Sequence, residues 1–563
     1  MVHLAGHMIV LILAFFSGDA FSSSPVMQRN RVGDVKIPFK NHLISTSYIL
    51  KTRTISRDRV NTIQSNMALH MSSILSMRGG GGTLSTMVTC LASTPSSLFH
   101  SCLGGLALST VLLKFFLNFQ PSSITTSDAS SSSKLVKVEK PNSIKSLQLR
   151  FLIVFWLLRC ADWLQGPYFY EVYATKVFHG QPASLTLISQ LFLTGFASTA
   201  LLGPFVGRAT DVYGRKRGTL AFALLYSLGA ASTKSPLLGM LLLGRVLSGI
   251  GTSLLFSAPE SWLVGEALQY EKGGDYLGET FGLAYAGDSL VAILAGQMAG
   301  AAAGIRGPSG PFELSIGFLG IGALLASFLW KENVAEKTVS SKNPSIADAW
   351  TVVRSDKKIL LAGAVQSLFE AAMYIFVLQW PPAISKAIST AFGSSAATPY
   401  GAVFSCFMAS CLLGSTIFGK LTQAGVSTES FCSIMLTLAT VAMGLASWAS
   451  SSSASILTNA WTQPLSILVA SFFAFEACVG MYFPSIGTLR SKYIPDSHRS
   501  VIMNIFGIPL NAMVVGVFLS IKRLGVHGAL LCSTTALTLA TLSMFTLSRI
   551  VGDQKGDKEH NIK

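Results

Sequence analysis

Long apolar segments alternate with short polar turns along most of the chain after residue 148. Each segment approaches the length of about 20 residues with which an α-helix crosses the hydrocarbon core of a bilayer. The polar stretch 331–357 divides these segments into two sets of six. The pattern therefore predicts twelve membrane-spanning helices, at residues 149–172, 183–206, 217–233, 236–261, 277–304, 311–330, 358–380, 399–420, 428–449, 464–488, 500–521 and 525–549.

Lysine and arginine are distributed unequally between the two sides of this predicted helix array. One side carries the basic clusters 208–217, 331–358 and 490–499, together with the C-terminus. Because cytoplasmic loops hold the excess of Lys and Arg, this side is predicted to face the cytoplasm or its topological equivalent. The opposite side carries fewer cations, namely Lys176, Lys234, Arg306, Lys386, Lys522 and Arg523.

The two sets of six helices show weak internal similarity. Residues 197–203 in the second helix resemble 409–414 in the eighth, and residues 251–259 in the fourth resemble 480–484 in the tenth. Two copies of one bundle around a central site are the arrangement of many secondary transporters. The sequence predicts an all-α integral membrane protein with two six-helix bundles, a cytoplasmic central loop and a charged C-terminal tail, at 149–330, 358–550, 331–357 and 551–563 respectively.

Composition supports a membrane location. Hydrophobic residues make up 50% of the 563 positions and charged residues only 12%. The mean hydropathy of +0.52 is too high for a water-soluble core of this size. The net charge of +16 lies in the loops and the N-terminal region, without the interleaved aromatic residues of a nucleic-acid surface. We therefore expect the lipid bilayer as a partner and no nucleic acid.

The sequence patterns that indicate a metal site or an enzyme are absent. The eight cysteines lie within or beside apolar segments, with no CxxC pair and no histidine at metal-ligand spacing. The apolar spans contain no nucleophile-and-base set, and no phosphate-binding loop follows a strand. We predict reduced cysteines that serve packing, no metal, no cofactor and no enzymatic activity.

The first 148 residues differ from the predicted helix array. Residues 1–20 contain a short apolar core followed by small residues, which is typical of a signal peptide. Residues 21–97 are basic and rich in Ser and Thr, and with residues 19–22 they resemble the two-part plastid-targeting leader of algae with secondary plastids. An ordinary disordered N-terminus is the equal alternative. Residues 98–119 predict an extra membrane helix, and 120–148 form a Ser- and Lys-rich linker.

A short basic segment joins the second and third predicted helices. This segment, here called the signature loop, reads Gly207-Arg-Ala-Thr-Asp211-Val-Tyr-Gly214-Arg215-Lys216-Arg217. Its spacing of Gly, Asp, Gly and two cations resembles the loop between the second and third helices of the major facilitator superfamily. The glycines are expected where the backbone bends and a Cβ would not fit. The superfamily's basic residue after the Asp is replaced by Val212, so we expect a weaker charge relay.

Seven charged side chains inside the predicted spans are candidates for function, because a charge there is costly unless it meets a partner or a cavity. They are Arg159, Asp162, Arg245, Glu260, Asp288, Glu370 and Glu476. Arg159 and Asp162 are three residues apart on one helix face, and we favour mutual neutralisation for this pair. A carboxyl group at Glu260, Glu370 or Glu476 is equally suited to carrying a proton and to accepting a structural hydrogen bond.

Arg245 opens the sequence Arg-Val-Leu-Ser-Gly-Ile-Gly in the fourth predicted helix. This sequence resembles a fourth-helix motif of the superfamily, although Ser248 stands where Gln is common. The resemblance implies that the arginine contributes to proton coupling or to substrate binding. The glycines alone would merely permit close helix packing. We favour a functional role for Arg245.

Four further motifs occur in order along the chain, at 161–168, 255–262, 367–370 and 482–485. Together they are similar to the molybdate-anion transporter family of the major facilitator superfamily, over about residues 146–550. The resemblance implies the major facilitator fold and the transport of molybdate or a related oxyanion by alternating access, with protons as the candidate coupling ion. The predicted substrate or proton pathway consists of Asp162, Gln165, Arg245, Glu260, Glu370 and Glu476. On this hypothesis Arg245 faces the anion together with polar groups such as Gln165, Gln190 and Gln297, and the carboxyl groups titrate.

Two alternatives stay open at this point. The chain could carry another small solute, such as a sugar or an organic ion. It could also be a non-transporting receptor or trafficking protein built on the same scaffold. For the location, the family resemblance implies the cell membrane, whereas the leader implies the plastid envelope of an alga with secondary plastids.

Overall fold

The computed structural model describes residues 94–118, 140–178, 180–270, 273–334, 346–451, 464–495 and 499–560. The predicted signal peptide and nearly all of the predicted leader lie outside these residues. Most of the predicted linker and part of the central loop also lie outside them.

Nearly all of the described chain is helical, as the apolar pattern predicts. The helices are α1 Pro95–Asn118, α2 Asn142–Gln165, α3 Phe169–Ala174, α4 Leu185–Tyr213, α5 Arg215–Ser232, α6 Leu238–Leu255, α7 Ala258–Ala267, α8 Leu277–Arg306, α9 Gly310–Leu329, α10 Ile346–Ser355, α11 Lys357–Phe392, α12 Tyr400–Gln423, α13 Thr428–Ala449, α14 Pro464–Tyr493, α15 Arg499–Leu519 and α16 Ile521–His560. A 3₁₀ turn at Gly166–Tyr168 links α2 to α3, and a small antiparallel hairpin pairs Val177–Phe178 (β1) with Gln181–Pro182 (β2).

Each of the twelve predicted spans coincides with one helix or with two consecutive helices. The first span corresponds to α2 with α3 and the fourth to α6 with α7, while the others correspond to α4, α5, α8, α9 and α11 to α16. Within the described chain, nine stretches are long and apolar enough to cross a membrane, and one of them is α1. Helices α2, α5 and α15 do not meet this criterion of length and hydropathy. The first two contain several charged residues, and the apolar part of α15 is only Ile505–Leu519.

The helices form two groups according to which neighbours they contact. Helix α6 packs on α4 and α5, and α2 packs on α8 and α9. Helix α16 packs on α11 and α13, and α14 packs on α12 and α13. The first group precedes the central loop and the second follows it. These groups, here called the N-half and the C-half, meet where α8 packs on α12 and where α4 packs on α15.

Equivalent helices of the two halves pack through equivalent glycines. A Cβ on Gly203 of α4 would lie 3.1 Å from the Ser253 hydroxyl of α6. A Cβ on Gly414 of α12 would lie 1.9 Å from the Ala477 carbonyl oxygen of α14. The second and fourth spans of each half therefore approach closely at two glycines that the internal sequence similarity pairs.

The halves contact each other at the helix ends remote from the signature loop. The signature loop is predicted to be cytoplasmic, so the remote end is here called the outer end. In the described part of the chain, every pair of aromatic rings that joins the halves lies on this side. The pairs, here called the outer aromatic contacts, are Trp163–Phe404, Tyr168–Tyr400, Phe192–Phe518 and Phe196–Tyr374, with ring centroids 5.2–5.8 Å apart.

Backbone packs directly on backbone where α8 meets α12. A Cβ on Gly401 would lie 2.3 Å from the Gly296 carbonyl oxygen and 2.7 Å from the Gly300 nitrogen. The Ser405 hydroxyl donates a hydrogen bond of 2.8 Å to the Ile293 carbonyl oxygen. These contacts, here called the glycine seam, let the two halves approach more closely than larger side chains would permit.

Helix α1 is a membrane-length helix outside the twelve spans, in the region where residues 98–119 predict one. It packs along α12. Phe99 is fully buried, and its carbonyl oxygen accepts a hydrogen bond of 3.2 Å from the Cys406 thiol. His100 Nε2 lies 3.2 Å from Gln297 Oε1 on α8. Helix α1 therefore contacts both halves, and Gln297 is turned toward α1.

Candidate functional site

The signature loop is mostly helical. Helix α4 continues to Tyr213 and α5 begins at Arg215, so the chain turns at Gly214 alone, with φ +121° and ψ 138°. A Cβ on Gly214 would collide with the Glu332 carboxylate, whereas a Cβ on Gly207 would meet nothing within 4 Å. The expectation that both glycines lie at bends is wrong for Gly207, because α4 runs through that residue without a break.

Glu332, just after the end of α9, caps the N-terminus of α5. Its two carboxylate oxygens accept hydrogen bonds from the backbone N–H groups of Lys216 at 2.9 Å and Arg217 at 3.0 Å. A carboxylate here satisfies two unpaired amides and faces the positive end of the helix dipole. The sequence pattern does not reveal this cap, because 115 residues separate Arg217 from Glu332.

The charged side chains of the signature loop bind within the N-half. Arg215 Nε lies 3.2 Å from Asp211 Oδ1, one helical turn before it. Lys216 Nζ donates hydrogen bonds to the carbonyl oxygens of Ser327 at 2.7 Å and Trp330 at 2.9 Å, at the C-terminal end of α9. These contacts join the ends of α4, α5 and α9 that lie at the signature loop.

Replacing Gly214 with alanine should destabilise the protein by about 1–3 kcal/mol, since alanine rarely adopts a φ of +121°. The added Cβ would also lie 2.4 Å from the Glu332 carboxylate. The matched control is Gly207→Ala, which removes a helical glycine and should be neutral or stabilising by up to about 1 kcal/mol. Thermal unfolding of the purified protein in detergent measures both. Equal melting temperatures for the two variants would contradict this description of the turn.

A buried network of charges lies between α2, α5 and α8. Arg159 donates to both carboxylate oxygens of Asp288, at 3.0 and 2.9 Å, and its remaining nitrogen lies 3.4 Å from Asp162. The Trp163 indole N–H donates to Asp288 at 2.8 Å, and the Tyr226 hydroxyl donates to Asp162 at 2.5 Å. The structure thus places Asp162 beside Arg159, but the principal partner of that arginine is Asp288.

Gln165 is held in the contact between α2 and α9. Its side-chain amide donates a hydrogen bond of 2.8 Å to the Ser315 hydroxyl, which in turn donates to the Ala161 carbonyl oxygen at 2.7 Å. Gln165 is only 5% exposed. This geometry gives Gln165 a role in helix packing, whereas the side chain of Gln190 on α4 is exposed.

Arg245 of α6 lies against aromatic side chains. Its guanidinium carbon is 4.5 Å from the centre of the Phe169 ring, and the guanidinium also lies near Tyr173. A Cβ on Gly195 of α4 would lie 2.4 Å from Nη2, so in this conformation the guanidinium lies directly against the Gly195 backbone. The Nε atom is buried without a hydrogen-bond acceptor.

Arg245 differs from the other arginines inside the spans. Arg159 binds two aspartates, and Arg490 binds a glutamate. Within the described residues, Arg245 forms no ion pair with an acid. No acid among these residues therefore neutralises its charge.

Glu260 lies in the first turn of α7, directly after the break that separates α6 from α7. Its carboxylate accepts a hydrogen bond from the Tyr285 hydroxyl of α8, and the positive end of the α7 dipole stabilises its charge. Tyr285 is 50% exposed, so the pair is accessible from outside the packed helices. Glu260 thus has a hydrogen-bond partner and is not sealed inside the packed helices.

Glu370 of α11 is bound to α14. Its Oε1 accepts hydrogen bonds of 3.0 Å from the Tyr482 hydroxyl and 3.0 Å from Arg490 Nη2. Arg490 Nε also donates to Gln366 at 2.9 Å. The sequence pattern places Arg490 in a cytoplasmic loop, but α14 continues to Tyr493 and so carries this arginine inside the helix.

Glu476, also on α14, has no such partner. It is only 7% exposed, and no other described residue forms a hydrogen bond or an ion pair with it. An isolated carboxylate at this depth is costly. Of the three glutamates that the sequence singles out in the spans, Glu476 is thus the one that a structural hydrogen bond does not explain.

The candidate residues are bound by side chains that sequence reasoning did not identify. Each contact joins two different helices, which are consecutive α-helices only for Tyr285 and Glu260, and four of the five partners are aromatic. Aromatic residues are common in any membrane span, so their type alone gives no signal. The partners are Trp163, Tyr226, Tyr285, Tyr482 and Arg490.

Comparison with known proteins identifies the family. A family model described as sugar transporters with 12 transmembrane segments matches residues 120–472. The molybdate-anion transporter of Xenopus tropicalis is 30% identical over 418 residues, which cover 72% of this chain and 87% of that protein. The chain belongs to the molybdate-anion transporter family of the major facilitator superfamily. A second family member, the molybdate-anion transporter of Takifugu rubripes, is 29% identical over 408 residues, covering 66% of this chain and 78% of its own.

Solved structures of other major facilitator proteins share the fold. A POT family transporter in complex with a thioalcohol-conjugated peptide gives a TM-score of 0.56 at 15% identity, covering 73% of this chain and 97% of that one. A D-xylose-proton symporter gives a TM-score of 0.53 at 13% identity, covering 72% and 98%. The predicted major facilitator fold is confirmed. As a member of the molybdate-anion transporter family, the chain is a multi-pass membrane transporter and not an enzyme.

Proposed function

We propose that the protein moves molybdate or a related oxyanion across a membrane by alternating access, coupled to protons. The observation that carries the proposal is the guanidinium of Arg245, which has no acid partner among the described residues and a buried Nε without an acceptor. The names of the relatives, molybdate-anion transporters at about 30% identity, support the choice of oxyanion. The membrane we propose is the cell membrane, with the plastid envelope as the alternative.

Arginine suits the recognition of a tetrahedral oxyanion. Its guanidinium is always charged and presents several N–H donors in one plane, which match the spacing of two oxygen atoms. A hydrogen bond to a charged group contributes about 1.5–3 kcal/mol, or roughly tenfold to 150-fold in affinity. An arginine already bound to two aspartates, such as Arg159, cannot offer the same donors.

Proton coupling follows from the balance of charge inside the spans. Among the buried or partly buried charged groups of the candidate site described above, three arginines, at 159, 245 and 490, stand against five carboxyl groups, at 162, 260, 288, 370 and 476. A dianion entering this environment is repelled unless some of the acids bind protons. We propose that Glu260, Glu370 and Glu476 carry those protons.

Molybdate accumulation in a molybdate-starved host tests the proposal. Arg245→Ala should lower the affinity for molybdate at least about tenfold, while Arg306→Ala, at an exposed outer position, should behave like the unchanged protein. Uptake should be faster at acid external pH, and Glu260→Gln, Glu370→Gln and Glu476→Gln combined should abolish that dependence. Normal uptake by Arg245→Ala would refute the anion site, and a pH response that survives the three combined glutamine substitutions would refute the proton part.

A carrier for a neutral solute is the second candidate, favoured by the description of the matched family model as sugar transporters. Competition separates the two. Tungstate and sulfate should inhibit uptake through the oxyanion carrier, and sugars should not. No uptake of molybdate by correctly inserted protein would favour the second candidate or a non-transporting receptor.

A further inference from the structure

We propose that Phe169 links the guanidinium of Arg245 to the outer aromatic contacts, so that an anion bound at Arg245 and a closed outer end stabilise each other. The proposal deepens the proposed function and rests on it for the identity of the ligand. Phe169 is a positioning residue, since it touches Arg245 and not the transported anion.

Phe169 is the first residue of α3, directly after the 3₁₀ turn that follows α2. The guanidinium carbon of Arg245 lies over its ring, 4.5 Å from the centre. A cation in this position is attracted by the electrons of the ring face, and the attraction grows when water is excluded. The turn at Gly166–Tyr168 therefore positions an aromatic platform beside the fourth span.

The platform leaves the hydrogen-bonding groups of Arg245 available. A guanidinium donates its N–H bonds in its own plane, away from a ring that covers its face. The Nε atom is buried and lacks an acceptor, so a donor is unused. On the α4 side, the space of a missing side chain at Gly195 is filled by the guanidinium itself. The arginine is thus held between a ring and a backbone, with its Nε–H donor unused.

Phe169 also belongs to a row of rings that reaches the C-half. Its ring packs edge-to-face on Phe192, with centroids 5.6 Å apart and an interplanar angle of 85°. Phe192 packs in the same manner on Phe518 of α15, at 5.2 Å and 86°. Phe518 is buried in the C-half. One cation–π contact and two ring contacts therefore join Arg245 to the other half.

The row gives a physical route for coupling. When the outer end opens, α15 separates from α4, and Phe192 loses its contact with Phe518. Phe169 then loses the support of a fixed neighbour, and the guanidinium above it is less well ordered. Closure of the outer end pre-organises Arg245 for the anion. By thermodynamic reciprocity, a bound anion favours closure.

Substitutions at Phe169 test this role. Phe169→Leu removes the ring face and should raise the KM for molybdate by about fivefold to thirtyfold with a smaller effect on the maximal rate. Phe169→Tyr keeps the ring and should restore the KM. The control is Phe205→Leu, a ring on α4 that is 74% exposed. A KM for Phe169→Leu equal to that of the control would overturn the proposal.

A distance measurement without molybdate isolates the coupling from the identity of the solute. Spin labels on Ser235→Cys and Lys522→Cys report the separation of the halves at the outer end. Protein without these two substitutions, treated with the same label, gives the background signal from the other cysteines. Phe169→Leu should shift the population toward longer distances, and Phe169→Tyr should not. Adding Arg245→Ala to Phe169→Leu should open the outer end no further, because both changes break one contact.

The outcomes separate the two proposals. Independent, additive opening by Phe169→Leu and Arg245→Ala overturns the role of Phe169, as does no opening at all. A protein that shows the non-additive shift but takes up no molybdate overturns the proposed substrate and leaves the coupling supported.

Discussion

Replacing Asp288 with alanine should destabilise the protein by about 3–5 kcal/mol, which is the usual result of removing one partner of a buried ion pair. Arg159 is only 8% exposed, and Asp288 binds it through both carboxylate oxygens. After the change, only Asp162, at 3.4 Å, would face the guanidinium. The Trp163 indole N–H would lose its acceptor as well.

Thermal unfolding in detergent measures this loss, with two comparisons. Glu279→Ala removes an exposed acid from its pair with Lys140 and should cost at most about 1 kcal/mol. Arg159→Met combined with Asp288→Leu replaces the charged pair by apolar groups and should recover part of the stability. If the Asp288→Ala and Glu279→Ala variants have the same melting temperature, the network does not stabilise the N-half.

Gly401→Ala should reduce transport by roughly fivefold to 150-fold, because it prevents the glycine seam from closing. The new Cβ would lie 2.3 Å from the Gly296 carbonyl oxygen and 2.7 Å from the Gly300 nitrogen. Both are backbone atoms, so no side chain can rotate away. Overpacking of this kind costs about 1–3 kcal/mol, and each 1.4 kcal/mol corresponds to about tenfold in the closed population.

The matched control lies on the same helix. A Cβ on Gly419 of α12 meets nothing within 4 Å, so Gly419→Ala should transport normally. Uptake assays measure the loss of transport, and the distance between labels at positions 235 and 522 measures closure of the outer end. Impaired uptake by Gly401→Ala with an unchanged outer distance would show that the seam does not limit closure.

The spans and the turn at Gly214 could be predicted from sequence because both depend on local properties. A long apolar segment must form its backbone hydrogen bonds internally, and this fixes a helix whatever surrounds it. The turn carries a Gly, Asp and basic spacing within a dozen residues. The same local reasoning made the loop too long, because it placed a bend at Gly207. The apolar pattern ends near that residue, whereas the helix continues to Tyr213.

The partners of the charged residues could not be predicted, because they depend on which helices meet. Arg159 and Asp162 are neighbours in sequence, yet the stronger partner, Asp288, lies 129 residues away. Glu370 and Arg490 are separated by 120 residues. A charge inside a span signals that some partner or cavity exists, but its identity follows only from the packing of α2 on α8 and of α11 on α14.

The position of α1 has a consequence for the assembly of the protein during synthesis. The backbone of Phe99 is bonded to Cys406, which is 307 residues later in the chain. At a synthesis rate of about 5–20 residues per second, α1 waits roughly 15–60 s before α12 is made. His100 waits about 10–40 s of that interval for Gln297, which is 197 residues later in the chain, and it has no surface of α12 beside it until the interval ends. Helix α1 therefore leaves the ribosome well before α12, on which it packs, and changes on its α12-facing side should appear first as slow maturation.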